Sequence, residues 1–295
     1  MNRLPYQRQI TAIASLCEGV AVRAVARIVH AHHDTIGRLA LHVGEGCYHI
    51  HDELFRKVSS KYIELDEAWS FLFKKQGHRE TGDRPEYGDQ YFYTAVDADN
   101  KAIISYLSGK RNAKTTAAFA LDLKSRLATT PQISSDGFHP YVKAVAGAFG
   151  DANVDYAMII KMYAAECAIE AKRRYSPADV MGHEKIIVFG DPSLSHISTS
   201  YVERQNLTLR MHTRRFTRLT NAFSKKLRNH CAALDLYVAN YNFVRVHETL
   251  KTTPAVAIGV TGHVWTIEEL AETALKLGAT KPPPVRKGSQ QQAAS

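Results

Sequence analysis

Apolar residues recur at three-to-four spacing over the first 58 residues and at alternating spacing after them, and this change divides the chain. Pro5 can open a first helix, with Ile10, Ile13, Ala14 and Leu16-Cys17 at helical spacing and Glu18-Gly19 as its stop. A second helix fits Ala21 to Val29, with Val22, Val25, Ala26 and Val29 on one face. A third fits Asp34 to Val43, with Ile36, Leu39 and Ala40 turned inward. Three short helices with a tight turn between the last two predict a helix-turn-helix, although a small helical cap on the next domain has the same pattern. In a helix-turn-helix His32, His33, Asp34, Thr35 and Arg38 face the groove, and Arg23 and Arg27 reach phosphates. His30 falls where the chain turns left-handed, a position Gly often holds. His30, His32 and His33 lack carboxylate or Cys company, which disfavours a metal site there.

Residues 59–200 read as strands and helices in alternation. Lys61 to Glu67 alternates and Trp69 to Phe73 continues it; a polar loop over Gln76 to Gly88 leads to a second strand at Tyr91 to Val96. Asp97-Ala98-Asp99-Asn100 is a hairpin turn, and Ala102 to Leu107 a third strand. Asn112 can cap a helix running to Ala128 with Ala118, Leu121 and Leu127 as its stripe. Gln132 to Asp136 is a short strand, His139 to Phe149 a helix and Tyr156 to Tyr163 a strand. Three antiparallel strands, then helix, strand, helix, strand, is the order of an RNase H-like fold. The predicted architecture is therefore α/β (α+β): a mixed five-stranded RNase H-like sheet flanked by helices, preceded by the helix-turn-helix. Residues 164–199, with Lys172, Arg173, Arg174, His183 and Lys185, read as a basic mobile loop.

From Ser200 the helical pattern returns, with breaks, to about Asn242; Leu227, Cys231, Leu234 and Val238 would face the core and the other side would line a DNA channel. A last helix fits Ile267 to Leu277, capped by Thr266 with Glu269 at N3, and a disordered tail starts at Lys281. The domain organisation read from this is residues 1–58, helix-turn-helix; 59–260, catalytic domain with basic helices; and 261–295, short helix and tail.

Composition adds a partner. A net charge of +9 and a pI near 9.3 point to a polyanion, nucleic acid before membrane. No apolar run approaches the roughly 18 residues of a membrane span. No signal peptide is visible, and Cys17, Cys47, Cys167 and Cys231 lack zinc-ribbon or disulfide-framework spacing, so a reducing, cytoplasmic location is expected.

The basic charge is concentrated after one carboxylate. From Arg204 to Arg228 there are eight Lys or Arg and no Asp or Glu, and Glu203 stands just before them. On a helix Glu203, Asn206 and Arg210 share a face. Asp66 lies within the first strand and Asp136 ends the fourth; this fold puts those strands side by side, with Glu203 on a helix across the sheet. Carboxylates that converge repel one another unless cations are present, and two-metal phosphoryl transfer is the chemistry that uses them. Glu64, Glu67, Asp97 and Asp99 are rival acids, and Trp69, Phe71 and Phe73 read as core.

Three blocks carry a resemblance: Asp66-Glu67-Ala68-Trp69-Ser70, Ser135-Asp136-Gly137-Phe138-His139-Pro140-Tyr141, and His196 to Asn206. It continues through Arg215 to Lys226, Tyr241-Asn242-Phe243, His247, Thr253-Pro254 and His263-Val264-Trp265. The chain resembles bacterial DDE transposases of the insertion-sequence-one kind over nearly its whole length. The resemblance implies that Asp66, Asp136 and Glu203 bind Mg²⁺ or Mn²⁺, two ions per site, and that Asn206 and Arg210 belong to the signature after the glutamate. Some members open with a cysteine-rich zinc finger, which this sequence lacks. The expected partner is double-stranded DNA, both element ends and target, bound by a homodimer or higher multimer. Arg214, Arg215 and Arg218 join Asn206, Arg210, Arg23, His33, Thr35 and Arg38 as candidate DNA contacts, and His247 is a possible accessory residue. An RNase H-like nuclease or resolvase without strand joining, and a non-enzymatic helix-turn-helix regulator, are the alternatives.

Overall fold

The computed structural model describes residues 4–163, 180–218 and 220–284. The N-terminal helices are α1 (Tyr6–Cys17), α2 (Val22–Ile28) and α3 (His33–Leu54). The turn between α2 and α3 is left-handed at His30, with φ of 50°, and the His32 side chain accepts the Asp34 N–H at the start of α3. Helix α3 runs 11 residues past the anticipated end at Val43. It continues because Gly44 and Gly46 place no side chain between it and its neighbours. A Cβ on Gly44 would stand 2.2 Å from the Ala232 carbonyl oxygen, and one on Gly46 1.8 Å from that of Ala274.

The sheet contains β1 (Tyr62–Leu72), β2 (Gly88–Asp97), β3 (Ile103–Gly109), β4 (Gln132–Asp136), β5 (Tyr156–Tyr163) and β6 (Val180–Phe189), in the order β3-β2-β1-β4-β5-β6. Strands β1, β4 and β5 are parallel and β2, β3 and β6 antiparallel to their neighbours. This is the RNase H-like arrangement, extended by one strand. β6 corrects the expectation of an irregular loop through residue 199: Val180 to Phe189 pairs along β5. Residues 164–179 of that loop, with Lys172, Arg173 and Arg174, lie outside the described residues, as does 285–295 of the anticipated tail.

Helices α4 (Ala113–Arg126) and α5 (Pro140–Phe149) cover one face of the sheet. There Phe119, Leu123, Tyr141 and Val145 join Ile63, Leu65, Tyr93 and Ile133. Asn112 does cap α4, its Oδ1 accepting the Thr115 N–H at 2.9 Å. The predicted stripe is corrected, however, because Leu121 is exposed and Phe119 and Leu123 are buried. The other face is covered by α6 (Ser200–His212) and α7 (Leu227–Ala239), whose Val202, Leu209, Leu234, Tyr237 and Val238 pack on Ala68, Phe92 and Ile103.

Helix α7 gives only a small part of its surface to a groove, through Asn229, Ala233, Leu236 and Tyr237. Buried residues occur all round it, among them His230, Cys231, Ala232, Leu234, Asp235, Leu236 and Tyr237, so it is a core helix. A π-helical segment follows (Asn240–Val244). In it Asn242 pairs with both backbone polar groups of Ile103, at 3.0 and 2.9 Å, as a further strand would. A short helix α8 (Pro254–Ala257) leads to α9 (Ile267–Thr280), capped by Thr266 through the Glu269 N–H as expected. Helix α3 packs against both α7 and α9, and its Val43, Cys47 and Ile50, with Phe55 just after its end, belong to the same apolar cluster as the sheet. The second half of α3 thus shares the sheet's core, while Ala12, Val25, Ala26, Val29 and Ile36 form a separate cluster among the three N-terminal helices. The described cysteines, Cys17, Cys47 and Cys231, are buried and form no disulfide with one another. Among the described residues no helix is long and apolar enough to cross a membrane.

Candidate active site

Strands β1 and β4 run parallel with Leu65 opposite Ser135. The next residues on the two strands are Asp66 and Asp136, so their side chains emerge side by side. Asp66 Oδ1 accepts the Glu67 N–H at 2.7 Å and its Oδ2 accepts the Asn206 side-chain amide at 2.8 Å. Asp136 Oδ1 accepts the Phe138 N–H at 3.1 Å, which fixes the carboxylate where the strand turns at Gly137. Oxygens of Asp66, Asp136 and Glu67 lie within 4.8 Å of one another. Burial, then the Asp136 carboxylate, push the Asp66 acid up to about 7; Glu67 and Glu203 push in the same direction.

Glu203 is near enough to act on Asp66 but stands outside this cluster. Its Oε1 accepts from Lys161 Nζ at 2.6 Å and Thr199 Oγ1 at 2.7 Å. Lys161 lies on β5 two residues past Ile159, the register partner of Asp136, beyond the point where β4 stops. The three predicted carboxylates are therefore brought to one region, two in the cluster and the third held by a lysine beside it.

The third member of the cluster is Glu67. Strand alternation sets it on the face opposite Asp66, over Tyr93. β4 ends at Asp136, so past that point no paired strand separates the two faces of β1. Arg111, between β3 and α4, bridges the acids: Nε donates to Glu67 Oε2 at 3.0 Å and Nη2 lies 3.7 Å from Asp136 Oδ2. Its guanidinium carbon lies 3.8 Å from the Phe138 ring centroid. Burial, and then the Asp136 charge acting against the Tyr141 and Arg111 contacts, raise the Glu67 acid. The donor set is all oxygen, which fits Mg²⁺ or Mn²⁺. The Glu67 Oε1 and Asn206 Oδ1 atoms are buried with no hydrogen bond, an unmet demand that a cation or its water shell would answer.

Helix α6 is anchored by another acid. Glu64, on β1 and on the Asp66 face, accepts the N–H groups of Tyr201 and Val202 at 2.7 and 2.9 Å. A carboxylate at a helix N-terminus meets both unpaired donors and the dipole, and here it ties the helix bearing Glu203 and Asn206 to the strand bearing Asp66. Glu64→Ala should lower stability by roughly 1–3 kcal/mol. Glu64→Gln retains an acceptor oxygen and should lose less. Equal losses by the two variants in urea unfolding would sink this anchoring role. Of the other rival acids, Asp97 is buried in its hairpin turn, accepting from Ser60 and from the Asn100 N–H, and Asp99 is exposed.

The basic candidates divide by what they touch. Arg210 Nη1 donates to the Trp69 and Phe216 carbonyls at 3.2 and 2.8 Å. Arg215 Nη1 donates to Ser224 Oγ and the Asn229 carbonyl at 3.3 and 3.2 Å. Burial lowers the basicity of both. Arg214 and Arg218 are exposed. These last two, with Lys225 and Lys226, line a groove of about 1400 Å³ whose opposite side carries Arg23, His33 and Arg38. Thr35 is half-buried in the first turn of α3. The histidine turn has the acidic company that its spacing did not suggest: His32 and His33 each lie 3.5 Å from Asp34, all three exposed at the helix start. His247 sits in a turn, its Nδ1 3.0 Å from Thr249 Oγ1, with its basicity lowered by burial and then by Lys101, Arg245 and Arg204.

No protein-family model and no curated protein matches the chain. Among solved structures, the cryo-EM structure of a piggyBac transposase synaptic complex with hairpin DNA is similar over 93% of this chain and 70% of that one, at 9% identity and a TM-score of 0.47. At that distance the functional reading stands on the side chains alone.

The residues that sequence reasoning passed over are Arg111 and Lys161, which neutralise the acids, and the roles of Glu64 and Glu67. Adjacency to Asp66 was a signal for Glu67; strand alternation argued against it. Arg111 and Lys161 had no local signal, since only the sheet order brings them to Asp136 and Glu203.

Proposed function

We propose that this chain is a metal-dependent DNA transposase of the DDE type, similar to the insertion-sequence-one kind, acting in the cytoplasm on double-stranded DNA as a dimer or higher multimer. The observation that carries it is the pair of neighbouring carboxylates, Asp66 and Asp136, on adjacent parallel strands, with Asp66 accessible to protonation near neutrality. Mg²⁺ or Mn²⁺ held by Asp66, Asp136 and Glu203 would activate a water or 3′-hydroxyl and stabilise the leaving oxygen. The chain's own part is positioning. Asn206 and the Phe138 N–H orient the two aspartates, Glu64 fixes the helix carrying Glu203, and Arg111 and Lys161 offset carboxylate repulsion. The groove between Arg23, His33 and Arg38 on one side and Arg214 and Arg218 on the other has the charge to follow a phosphate backbone.

The test is cleavage and joining of duplexes carrying the DNA that flanks the gene, with Mg²⁺ or Mn²⁺, read on denaturing gels. Metal-dependent nicking followed by joining to a target duplex is expected; nicking without joining would favour the nuclease, and binding without nicking the regulator. Gel-shift titration over several salt concentrations separates the arginines. Arg214→Ala and Arg218→Ala should each reduce the salt slope by about one unit. Arg210→Ala should instead lower the melting temperature, because its contacts are to backbone carbonyls. An Arg210→Ala protein with normal stability and a reduced slope would reverse that assignment.

A further inference from the structure

We propose that Glu67 is an additional metal-ligating carboxylate of this site and that Arg111 is the resident counter-cation which the metal replaces. The proposal rests on the metal-dependent reading above and deepens it. The Glu67 side chain is 2% exposed, and an oxygen of its carboxylate lies within 4.8 Å of oxygens of both Asp66 and Asp136. One carboxylate oxygen, Oε2, receives Arg111 Nε at 3.0 Å; the other, Oε1, is buried and accepts no hydrogen bond. A buried carboxylate held only for its ion pair would have both oxygens met, since an unsatisfied one is costly. The Tyr141 hydroxyl stabilises the Glu67 carboxylate from nearby, but no full hydrogen bond closes between them, and Glu67 Oε1 and the hydroxyl both stay unmet.

Arg111 has the properties of a displaceable cation. It touches two of the three clustered acids, and its side chain is 37% exposed, so leaving them does not bury an unpaired charge. The Phe138 ring beneath the guanidinium offers it a second hold. Lys161 does the corresponding thing at Glu203, so each outlying acid is neutralised by its own base.

The experiment is Mn²⁺ titration of the full-length protein, with free Mn²⁺ read by electron paramagnetic resonance, for wild type, Asp66→Asn, Glu67→Gln, Arg111→Gln and the Glu67→Gln/Arg111→Gln double variant. Circular dichroism checks that each is folded. Glu67→Gln should weaken Mn²⁺ binding by about tenfold or more, in the wild-type and the Arg111→Gln backgrounds alike, and Arg111→Gln alone should tighten it severalfold. A Glu67→Gln loss that vanishes in the Arg111→Gln background would make Glu67 only the anchor of Arg111 and overturn the proposal. Unchanged affinity in Glu67→Gln overturns it too. Should Glu67→Gln not fold, Arg111→Gln still decides: unchanged Mn²⁺ affinity there refutes the counter-cation. If wild type binds no Mn²⁺, or Asp66→Asn binds it equally well, the metal-dependent reading itself fails with this one. Loss in Asp66→Asn but not in Glu67→Gln removes this inference alone.

Discussion

Asp66→Asn loses strand cleavage by several orders of magnitude and yet, without metal at pH 8, melts at a higher temperature than the wild type. The first effect follows if Asp66 helps hold the ion that activates the nucleophile and stabilises the leaving group. The second follows from the environment of the acid. In the folded protein Asp66 titrates at about 7, above its ordinary 3.8, so the folded state binds more protons than the unfolded state between those values. Stability therefore falls as pH rises through that window, and the full penalty is present above pH 7. The shift corresponds to something on the order of 4 kcal/mol. Asn carries no charge and keeps an oxygen for the Asn206 amide, so the penalty disappears. Melting curves from pH 4 to 8 should slope downward for the wild type and flatten in the variant. A variant that melts lower throughout would show that Asp66 is not strained by its neighbours, and near-normal cleavage would remove it from the site. The same titration makes metal and proton compete, so Mn²⁺ affinity should weaken as pH falls below 7.

Gly46→Leu should abolish folding or destabilise by more than about 3 kcal/mol, beyond the usual range for overpacking. The Cβ alone would stand 1.8 Å from the Ala274 carbonyl oxygen, so helices α3 and α9 could not remain in contact. Nothing in the backbone conformation at Gly46 requires glycine; only the space does. Gly37, on the same helix, supplies the comparison, because a Cβ there meets nothing within 4 Å. Gly37→Ala should be neutral or stabilising by up to about 1 kcal/mol through helix propensity. Urea unfolding reads both. Equal tolerance at the two positions would mean that α3 does not hold the N-terminal helices to the sheet.

Particular elements show why some of this was legible in advance. The order of strands and helices through Tyr163 was readable because strand alternation and helical spacing are local properties of the chain. So was the adjacency of β1 and β4, since strand order in this architecture follows from connection rules. Strand β6 was not, because its residues Gly182 to Lys185 are polar and only the exposed edge of β5 makes them a strand. Helix α3 was read too short because glycines and histidines are poor helix formers, and their cost is offset by contacts with α7 and α9 that are distant in sequence. Helix α7 was taken as two-faced because its neighbours in sequence are basic, whereas in the fold most of it is enclosed by α3 and the sheet and only a narrow strip borders the groove.

By itself the sequence determined the alternation that makes the sheet, the caps at Asn112 and Thr266, the left-handed turn at His30 and the positions of Asp66 and Asp136 at one level of two adjacent strands. Each depends on residues a few places apart or on the topology they imply. Tertiary structure alone decided which acid completes the cluster and which basic groups neutralise it. Glu67 reaches Asp136 because β4 ends there; Glu203 meets Lys161 because β5 runs on past that end. Electrostatic pairing depends on separations of a few ångströms between atoms 25 or more residues apart in the chain, and no periodicity in the sequence encodes such distances.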